Sequence, residues 1–239
     1  EIKTRRYWNL SFSKNGHKPS LDNAASELRG LISDAVRMRL VADVPLGILL
    51  SGGVDSSTVA AFATQHATET VKTFSIGFSE DSFDESRYAR QVAAHLGTDH
   101  YEEILSVEKS ADLISEIGAW LDEPLSDGSL IPTYMLARFV RRHVTVALGG
   151  DGGDELFGGY GRYRSVMRPM WLGGRAMRAK GQLEGSGVLR DQGPAWRDGV
   201  VAVERRLADV AATRLQRAQA IDCTDWLPND LLIKLDRCL

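Results

Sequence analysis

The stretch Ser51-Gly52-Gly53-Val54-Asp55-Ser56-Ser57 lies between an apolar run over 44–50 and a second apolar run over 58–63. The first run predicts a short buried strand, and the second predicts a helix. Two successive glycines at the junction favour a turn with positive φ that gathers backbone N–H groups into a concavity. Because a helix start adds N–H donors and a partial positive charge, we expect an anion to bind here.

Asp55 conflicts with a site for a lone anion, because a carboxylate repels a phosphate. A divalent cation removes the conflict, since Mg²⁺ is commonly held by one or two carboxylates together with phosphate oxygens. The hydroxyls of Ser56 and Ser57 add donors. The stretch therefore predicts a site for a metal-bound polyphosphate, although it lacks the lysine of G-x-x-x-x-G-K-S/T loops. A plain glycine-serine turn is the alternative.

Strand and helix patterns alternate around this stretch. Strands are predicted over 44–50, 71–78, 100–105 and 144–148, with amphipathic or apolar helical segments between them. This alternation predicts an α/β fold with a parallel twisted sheet and helices on both faces. In such sheets ligands bind beyond the carboxyl ends of the strands, at the switch point of the strand order.

A second glycine loop, G-G-D-G-G-D-E-L-F-G-G-Y over 149–160, follows the fourth predicted strand. Its carboxylates Asp151, Asp154 and Glu155 repel one another unless a cation shares the site. Asp154 is thus a candidate second metal ligand that partners Asp55 across neighbouring strand ends. A calcium-type turn or a simple acidic connection is the alternative interpretation of this loop.

Length and charge restrict the class of protein. The 239 residues carry a net charge of −3, which disfavours a nucleic-acid scaffold that works by bulk positive charge. We find no signal peptide and no apolar run of membrane-spanning length, and two cysteines do not make a disulfide framework, so we expect a cytoplasmic protein. We predict a lead-in over 1–20, an α/β domain over 21–165, and a helical extension over 166–239 that is expected to be truncated. The same patterns predict Asp22 as the N-cap of the first helix and Tyr88 on the core face of the helix that follows Asp84. They also predict a solvated basic turn at Arg162 and one helix over 200–220.

Six pieces of the chain resemble the synthetase domain of glutamine-hydrolysing asparagine synthetases and their amidotransferase relatives, which belong to the ATP pyrophosphatases. The pieces are D-V-P-L-G-I-L-L-S-G-G-V-D-S-S (43–57), T-F-S-I-G-F (73–78), D-E-S-R-Y-A-R-Q-V-A-A-H-L-G-T-D-H (84–100), L-D-E-P-L-S-D-G-S-L-I-P-T-Y (121–134), the loop over 149–160, and L-P-N-D-L-L-I-K-L-D-R (227–237). The resemblance implies the adenine nucleotide alpha hydrolase-like fold.

The resemblance also implies a reaction. An aspartate side-chain carboxylate attacks the α-phosphorus of ATP and releases pyrophosphate, and ammonia then displaces AMP to give asparagine. ATP and Mg²⁺ are the implied cofactors. The implied pyrophosphate-loop residues are Ser51, Gly52, Gly53, Asp55 and Ser56. The implied adenosine-lining residues are Leu50, Ile76 and Gly150, and the implied magnesium ligands are Asp55 and Asp154.

The chain departs from the family pattern in three places. Asp151 stands where the best-known asparagine synthetases have a glutamate thought to act on ammonia, so its catalytic role involves a shorter side chain. Glu123 is a second catalytic candidate, expected to contact the substrate ammonium. Glu1 stands where the full enzyme has a glutaminase domain beginning with cysteine. A late lysine of the family falls beyond Leu239. Lys234 is expected to be a surface charge of the last helix, and a position close to the site is the alternative.

Several alternatives stay open. The acceptor acid is either aspartate or an acid of a polysaccharide or secondary-metabolite pathway. A tRNA-modifying enzyme of the same loop class would be expected to show paired cysteines or a basic face, and a non-catalytic nucleotide-binding fragment is a third class. The expected partners are small molecules and a glutaminase domain normally in the same chain, with a homodimer left open and neither nucleic acid nor membrane expected.

Overall fold

The computed structural model describes residues 3–5, 7, 8, 10, 11, 19–79, 84–105, 107–122, 125, 127–178, 187, 197–208 and 213–238. The chain forms two compact units. The sheet unit comprises Lys18–Asp151 and Lys234–Leu239, and the helical unit comprises Glu1–His17 and Gly152–Ile233. This division differs from the expected boundary at residue 165, because the chain leaves the sheet unit at Gly152 and returns to it at Lys234.

The sheet unit alternates strands and helices as the sequence predicts. Its elements are α1 (Leu21–Arg39), β1 (Leu46–Leu49), α2 (Val54–His66), β2 (Lys72–Phe78), α3 (Ser86–Leu96), β3 (Asp99–Leu105), α4 (Val107–Trp120), α5 (Leu130–Val140) and β4 (Val146–Leu148). The last helix of the chain, α10 (Leu232–Cys238), supplies the returning segment. Among the described helices, none is long and apolar enough to cross a membrane.

All pairings in the four-stranded sheet are parallel, and the strand order is β3-β2-β1-β4. Ile48 of β1 is in register with Thr73 of β2 on one side and with Leu148 of β4 on the other. The chain builds outward from β1 to β3 and then returns to the opposite side of β1. The switch point of the strand order therefore lies between β1 and β4, which is where the sequence places both glycine loops.

The two faces of the sheet are covered by different helices. Successive side chains of β1 point to opposite faces, so each face contributes to a separate core cluster. Ile48 and Leu50 belong to a core cluster with buried residues of α1, α2 and α3, among them Val36, Ala60 and Ala93. Residues of the opposite face pack against α5 and the turn that follows it, in a cluster that contains Leu49, Phe74, Tyr101, Leu136, Phe139, Val140, Val144 and Ala147. The predicted parallel sheet with helices on both faces is confirmed.

Three local predictions need correction. The N-cap of α1 is Ser20, whose hydroxyl accepts from the Asn23 N–H, and not Asp22. Tyr88 was predicted on the core face of α3, but it is 45% exposed and the buried residue is Ala89. Strands β1 and β4 are shorter than their apolar runs, because burial extends beyond the residues that join the ladder.

The helical unit contains α6 (Gly153–Phe157), α7 (Gly161–Met167), α8 (Asp198–Arg206) and α9 (Arg214–Ile221). The single helix predicted over 200–220 is thus two helices, and a capping box of Thr213 and Gln216 starts the second one. Wide π-type turns over Asp222–Leu231 then carry the chain directly from α9 into α10. Pro228 lies in these turns, where it withholds a backbone donor from regular α-helical bonding.

A buried carboxylate organises the helical unit. Asp222 has 0% exposure and accepts from Arg162 Nε at 3.0 Å and from Arg178 Nη2 at 3.2 Å. The Arg162 guanidinium also lies 3.8 Å from the centroid of the Tyr160 ring. Arg162, which the sequence placed in a solvated basic turn, is instead half-buried, because Asp222 and the aromatic rings compensate its loss of water.

We predict that Asp222→Asn destabilises the protein strongly, because it leaves two guanidinium groups without their shared carboxylate. Breaking a buried ion pair from one side costs about 3 to 5 kcal/mol in the free energy of unfolding. Urea denaturation monitored by fluorescence measures this loss. The matched control is Asp34→Asn, which removes an exposed ion pair with Arg37 and is expected to change stability by less than about 1 kcal/mol. Equal losses in both variants would contradict the prediction.

Candidate active site at the carboxyl edge of the sheet

The first glycine loop leaves β1 at its carboxyl end and enters α2 within a few residues. The Leu50 N–H donates to the Phe74 carbonyl oxygen at 2.8 Å, which continues the pairing of β1 with β2. Gly52 then has φ +82°, whereas Gly53 has φ −70° and is the N-cap of α2. Only the first of the two glycines therefore needs the left-handed conformation that the sequence allowed for both.

Gly52 is also required by its surroundings. A Cβ atom at this position would lie 2.6 Å from the Ala89 nitrogen and 2.6 Å from the Tyr88 carbonyl carbon. These are backbone atoms of α3, so they cannot move aside as a flexible side chain would. The loop is thus pressed against the first turns of α3, and this contact fixes the direction in which α2 begins.

The serine hydroxyls serve the loop in different ways. Ser56 is 7% exposed, and its Oγ accepts from the Ser51 N–H at 3.2 Å and lies 3.0 Å from Ser51 Oγ. The Ser56 hydroxyl therefore braces the loop internally, and its contact with a pyrophosphate group stays a prediction. Ser57 Oγ is buried and has no hydrogen-bond partner among the described residues, so it is the hydroxyl of this turn that could serve a ligand.

Gly150 brings the second loop against the first. A Cβ on Gly150 would lie 2.9 Å from the Ser56 nitrogen and 3.0 Å from Asp55 Cβ. The backbone after β4 consequently touches the first turn of α2. Both loops begin at the carboxyl ends of the paired strands β1 and β4, as the sequence predicts.

The other predicted adenosine-lining residues differ in accessibility. Leu50 is 1% exposed and its side chain packs in the core, so only its backbone can face a ligand. Ile76 lies on β2 and is half-buried. Contact of Leu50, Ile76 and Gly150 with adenosine stays a prediction.

Asp151 ends the segment of the second loop that belongs to the sheet unit. Its residue surface is exposed, and its Oδ2 lies 2.7 Å from the place of a Gly149 Cβ, so the carboxylate folds back over Gly149. The surrounding protein removes part of the water around this carboxyl group and raises its pKa, while the positive charge of Lys234 acts in the opposite direction.

Asp154 lies in α6 of the helical unit, and Asp55 lies in α2 of the sheet unit. The Asp154 carboxylate packs over Gly159, where no other residue would leave room for it. Within the described ranges no group of three or more His, Cys, Asp and Glu side chains is suited to a metal. Two carboxylates completed by phosphate oxygens nevertheless fit Mg²⁺, and the pairing of Asp55 with Asp154 stays a prediction. Glu123 lies outside the described residues.

One cluster at this edge was missed. Lys234 is buried, and its Nζ lies 2.6 Å from Asp127 Oδ2 and 2.6 Å from Ser129 Oγ. Burial would raise the pKa of Asp127, but the hydrogen bonds from Lys234 and Ser129 outweigh it and hold this pKa below its ordinary value. The expected surface position of Lys234 is therefore wrong. Lys234 lies four residues before Cys238, which places both on one face of α10. Because Cys238 is also buried, this spacing is the sequence feature that could have indicated a buried Lys234.

A glycine turn, a helix N-terminus and the end of a neighbouring strand thus meet at the switch point of a doubly wound sheet. This geometry defines the class of α/β domains that bind phosphate-bearing ligands beyond their strand ends. The chain belongs to the asparagine synthase family, whose family model matches residues 27–239.

Individual relatives agree with this assignment. Glutamine-hydrolyzing asparagine synthetase 1 of Bacillus subtilis is 40% identical over 146 residues, which cover 61% of this chain and 23% of the relative. The glutamine-hydrolyzing enzyme of Zea mays is 34% identical, covering 59% of this chain and 26% of the relative. Asparagine synthetase B of Escherichia coli is 31% identical, covering 56% of this chain and 27% of the relative. The chain thus spans about a quarter of the length of each of these relatives.

A solved structure aligns more weakly. The NH3-dependent NAD synthetase of Campylobacter jejuni has a TM-score of 0.41 and 14% identity, covering 81% of this chain and 93% of that chain. This similarity is too low to support the fold, which is established by the sheet itself and by the family match.

We predict that Gly52→Ala is more damaging than Gly97→Ala. Both glycines have positive φ, but a Cβ at Gly97, which ends α3, meets nothing within 4 Å. Gly97→Ala should therefore cost only the left-handed strain of about 1 to 2 kcal/mol, whereas Gly52→Ala adds a collision with the backbone of α3. Thermal unfolding of the two variants measures the difference, and equal melting temperatures would show that the loop can move away from α3.

We predict that the Asp127 ion pair makes the protein less stable as the pH falls into the acidic range. Because the folded pKa of Asp127 lies below the unfolded value, its contribution is complete above that unfolded value, near 3.8, and is lost as pH falls through the folded pKa. Between pH 7 and pH 3 the melting temperature of wild type should fall further than that of Asp127→Asn. Parallel decreases in both proteins would exclude this contribution.

Proposed function

We propose that this chain is the synthetase part of an amide-forming ligase that activates a carboxylic acid with ATP. The side-chain carboxylate of aspartate attacks the α-phosphorus of ATP, the bond to the β-phosphate breaks, and pyrophosphate leaves. Ammonia then attacks the carbonyl carbon of the aspartyl adenylate, loses a proton, and expels AMP to give asparagine. Family membership supports an ATP-dependent amide synthesis of this kind.

The observation that carries the proposal is the contact of Gly150 with the first turn of α2. It unites the two glycine loops at the switch point, so that a nucleotide held by the first loop would have its α-phosphorus near the end of β4. The site of adenylation and the Asp151 carboxylate would then lie at one edge of the sheet. No other pair of strand ends in the sheet unit combines these features among the described residues.

In this mechanism the chain mainly binds and orients. The N–H groups at the start of α2, together with the Ser57 hydroxyl, would hold phosphate oxygens of ATP. The acceptor carboxylate and the triphosphate repel each other, so most of the rate enhancement would come from positioning and from neutralising charge. Asp151, whose pKa is raised by loss of surrounding water, would accept the proton that ammonia loses.

Asp55 and Asp154 are the residues that would hold Mg²⁺, as their donor chemistry fits that ion. When bound, the ion would offset the negative charge of the phosphates.

The acceptor acid defines a second candidate. Asp151 is one methylene shorter than the glutamate of the resembled synthetases, and a displacement of about 1 Å can cost roughly 100-fold in rate. The shorter side chain would suit an acceptor acid that lies closer to β4 than aspartate does. In that case the enzyme would be an amidotransferase acting on another acid. We further propose that ammonia reaches the site from a glutaminase domain, that the protein works in the cytoplasm, and that it forms a homodimer.

The test is ATP–[³²P]pyrophosphate exchange with a panel of carboxylic acids in the presence of Mg²⁺. We expect exchange that depends on aspartate, and exchange with a different acid instead would identify the second candidate. Mg-ATP binding without exchange for any acid would indicate a nucleotide-binding fragment, and a requirement for tRNA would indicate a tRNA-modifying enzyme.

Asp55→Asn is predicted to lower this exchange by about 100-fold or more, a loss of the size seen when transition-state charge stabilisation is removed. Asp34→Asn, on the exposed side of α1, is the matched control and should retain wild-type exchange. Raising the Mg²⁺ concentration should recover part of the loss in Asp55→Asn. Wild-type exchange by Asp55→Asn would remove Asp55 from the site.

A further inference from the structure

Lys234 is a buried charge that the proposed reaction does not use. It is 5% exposed, and its ammonium donates to Asp127 Oδ2 and to Ser129 Oγ, each at 2.6 Å. The Ser129 hydroxyl in turn donates to Asp127 Oδ1 at 2.8 Å. Taking an ammonium out of water is unfavourable unless its partners are well placed. The three side chains therefore form a closed polar cluster around one ion pair.

Topology places this cluster at the carboxyl edge of the sheet. Because β4 is parallel to β1 and follows α5 after a short turn, α5 runs in the opposite direction to the strands. The N-terminus of α5, which Ser129 immediately precedes, consequently lies at the edge where both glycine loops begin. The charge of Lys234 acts to lower the pKa of Asp151 as well as the pKa of Asp127, which agrees with this placement.

A buried ion pair is a weak source of stability, because apolar side chains of similar volume often serve a fold equally well. At this edge of the sheet the ion pair instead holds the positive charge of Lys234 in a fixed position. An ammonium has three donors, and the bonds to Asp127 and Ser129 account for two of them. The cluster thus combines rigid placement with a positive field beside the carboxylate at the end of β4.

We propose that Lys234 is a positioning residue for the acceptor acid: through Asp127 and Ser129 it fixes the turn that opens α5 and sets a positive charge beside Asp151. This inference rests on the proposed function. The first glycine loop has its own braces, namely the Ser51–Ser56 contacts and the packing of Gly52 and Gly150. Loss of Lys234 should therefore disturb the acceptor and leave nucleotide binding intact.

The experiment compares Lys234→Met with Arg237→Met in the full chain. Arg237 lies on the same helix and pairs with Asp122, but this pair is exposed to solvent, so it is a matched control. Exchange kinetics give kcat and KM for the acceptor, titration calorimetry gives the Kd for Mg-ATP, and thermal scans give Tm. We expect Lys234→Met to lower kcat/KM for the acceptor about 100-fold, mainly through KM, the scale of a misplacement near 1 Å. Its Kd for Mg-ATP should stay within about twofold of wild type.

Asp127→Asn is the second variant, and it keeps the test decisive if Lys234→Met does not fold. It should raise the same KM, and the double variant should be no worse than the more affected single variant, because both remove one interaction. Acceptor kinetics of Lys234→Met and Asp127→Asn equal to those of Arg237→Met would overturn the inference alone. Parallel losses of acceptor KM, Mg-ATP affinity and Tm would also overturn it, by showing a merely structural role. Absence of exchange in wild type would instead overturn the proposed function, and this inference with it.

Discussion

The structure depends on how closely two backbones approach one another where β1 and β4 end. Gly52 lies against the backbone of α3, and Gly150 lies against the backbone of α2, so a methyl group at either place would push a helix away. At each place a methyl group would come about an ångström too close to the neighbouring backbone. Packed protein interiors leave almost no space into which that neighbour could move. The orientation of α2, and with it the direction of its first N–H groups, follows from these two absent side chains. The remainder of the candidate site is built around that turn.

The two units bury ions of opposite sign. The helical unit buries Asp222 between two arginines, which ties α7 and the segment around Arg178 to the π-type turns before α10. The sheet unit buries Lys234 between Asp127 and Ser129, which ties α10 to the turn before α5. Both arrangements join segments distant in sequence, and in both the ion is satisfied by fixed partners instead of by water. Rigidity at these places suits the proposed chemistry, which relies on orientation.

Much of the sheet unit could be predicted from the sequence, because the spacing of its apolar residues and the positions of its glycines indicate the same elements. Apolar runs followed by glycine gave the order of strands and helices, and both loops lie at the carboxyl edge as expected. Side-chain roles were harder to predict. Nothing in the local sequence shows that Ser56 braces its own turn, and the lysine of α10 is separated from Asp127 by 107 residues. The long helix predicted over 200–220 failed because the capping box at Thr213 overrides a continuous apolar pattern.

The position of β1 in the centre of the sheet has a consequence for biosynthesis. β1, α2 and β2 adjoin one another along the chain, so they can associate early, with short loops to close. The strand on the other side of β1 is about a hundred residues further on, and the segment that carries Lys234 is later still. Contacts of such separation form slowly, since loop-closure entropy is lost before they are made. As the ribosome releases the polypeptide, the turn after β1 can fold first, and the cluster of Lys234 with Asp127 and Ser129 can form only after α10 has emerged.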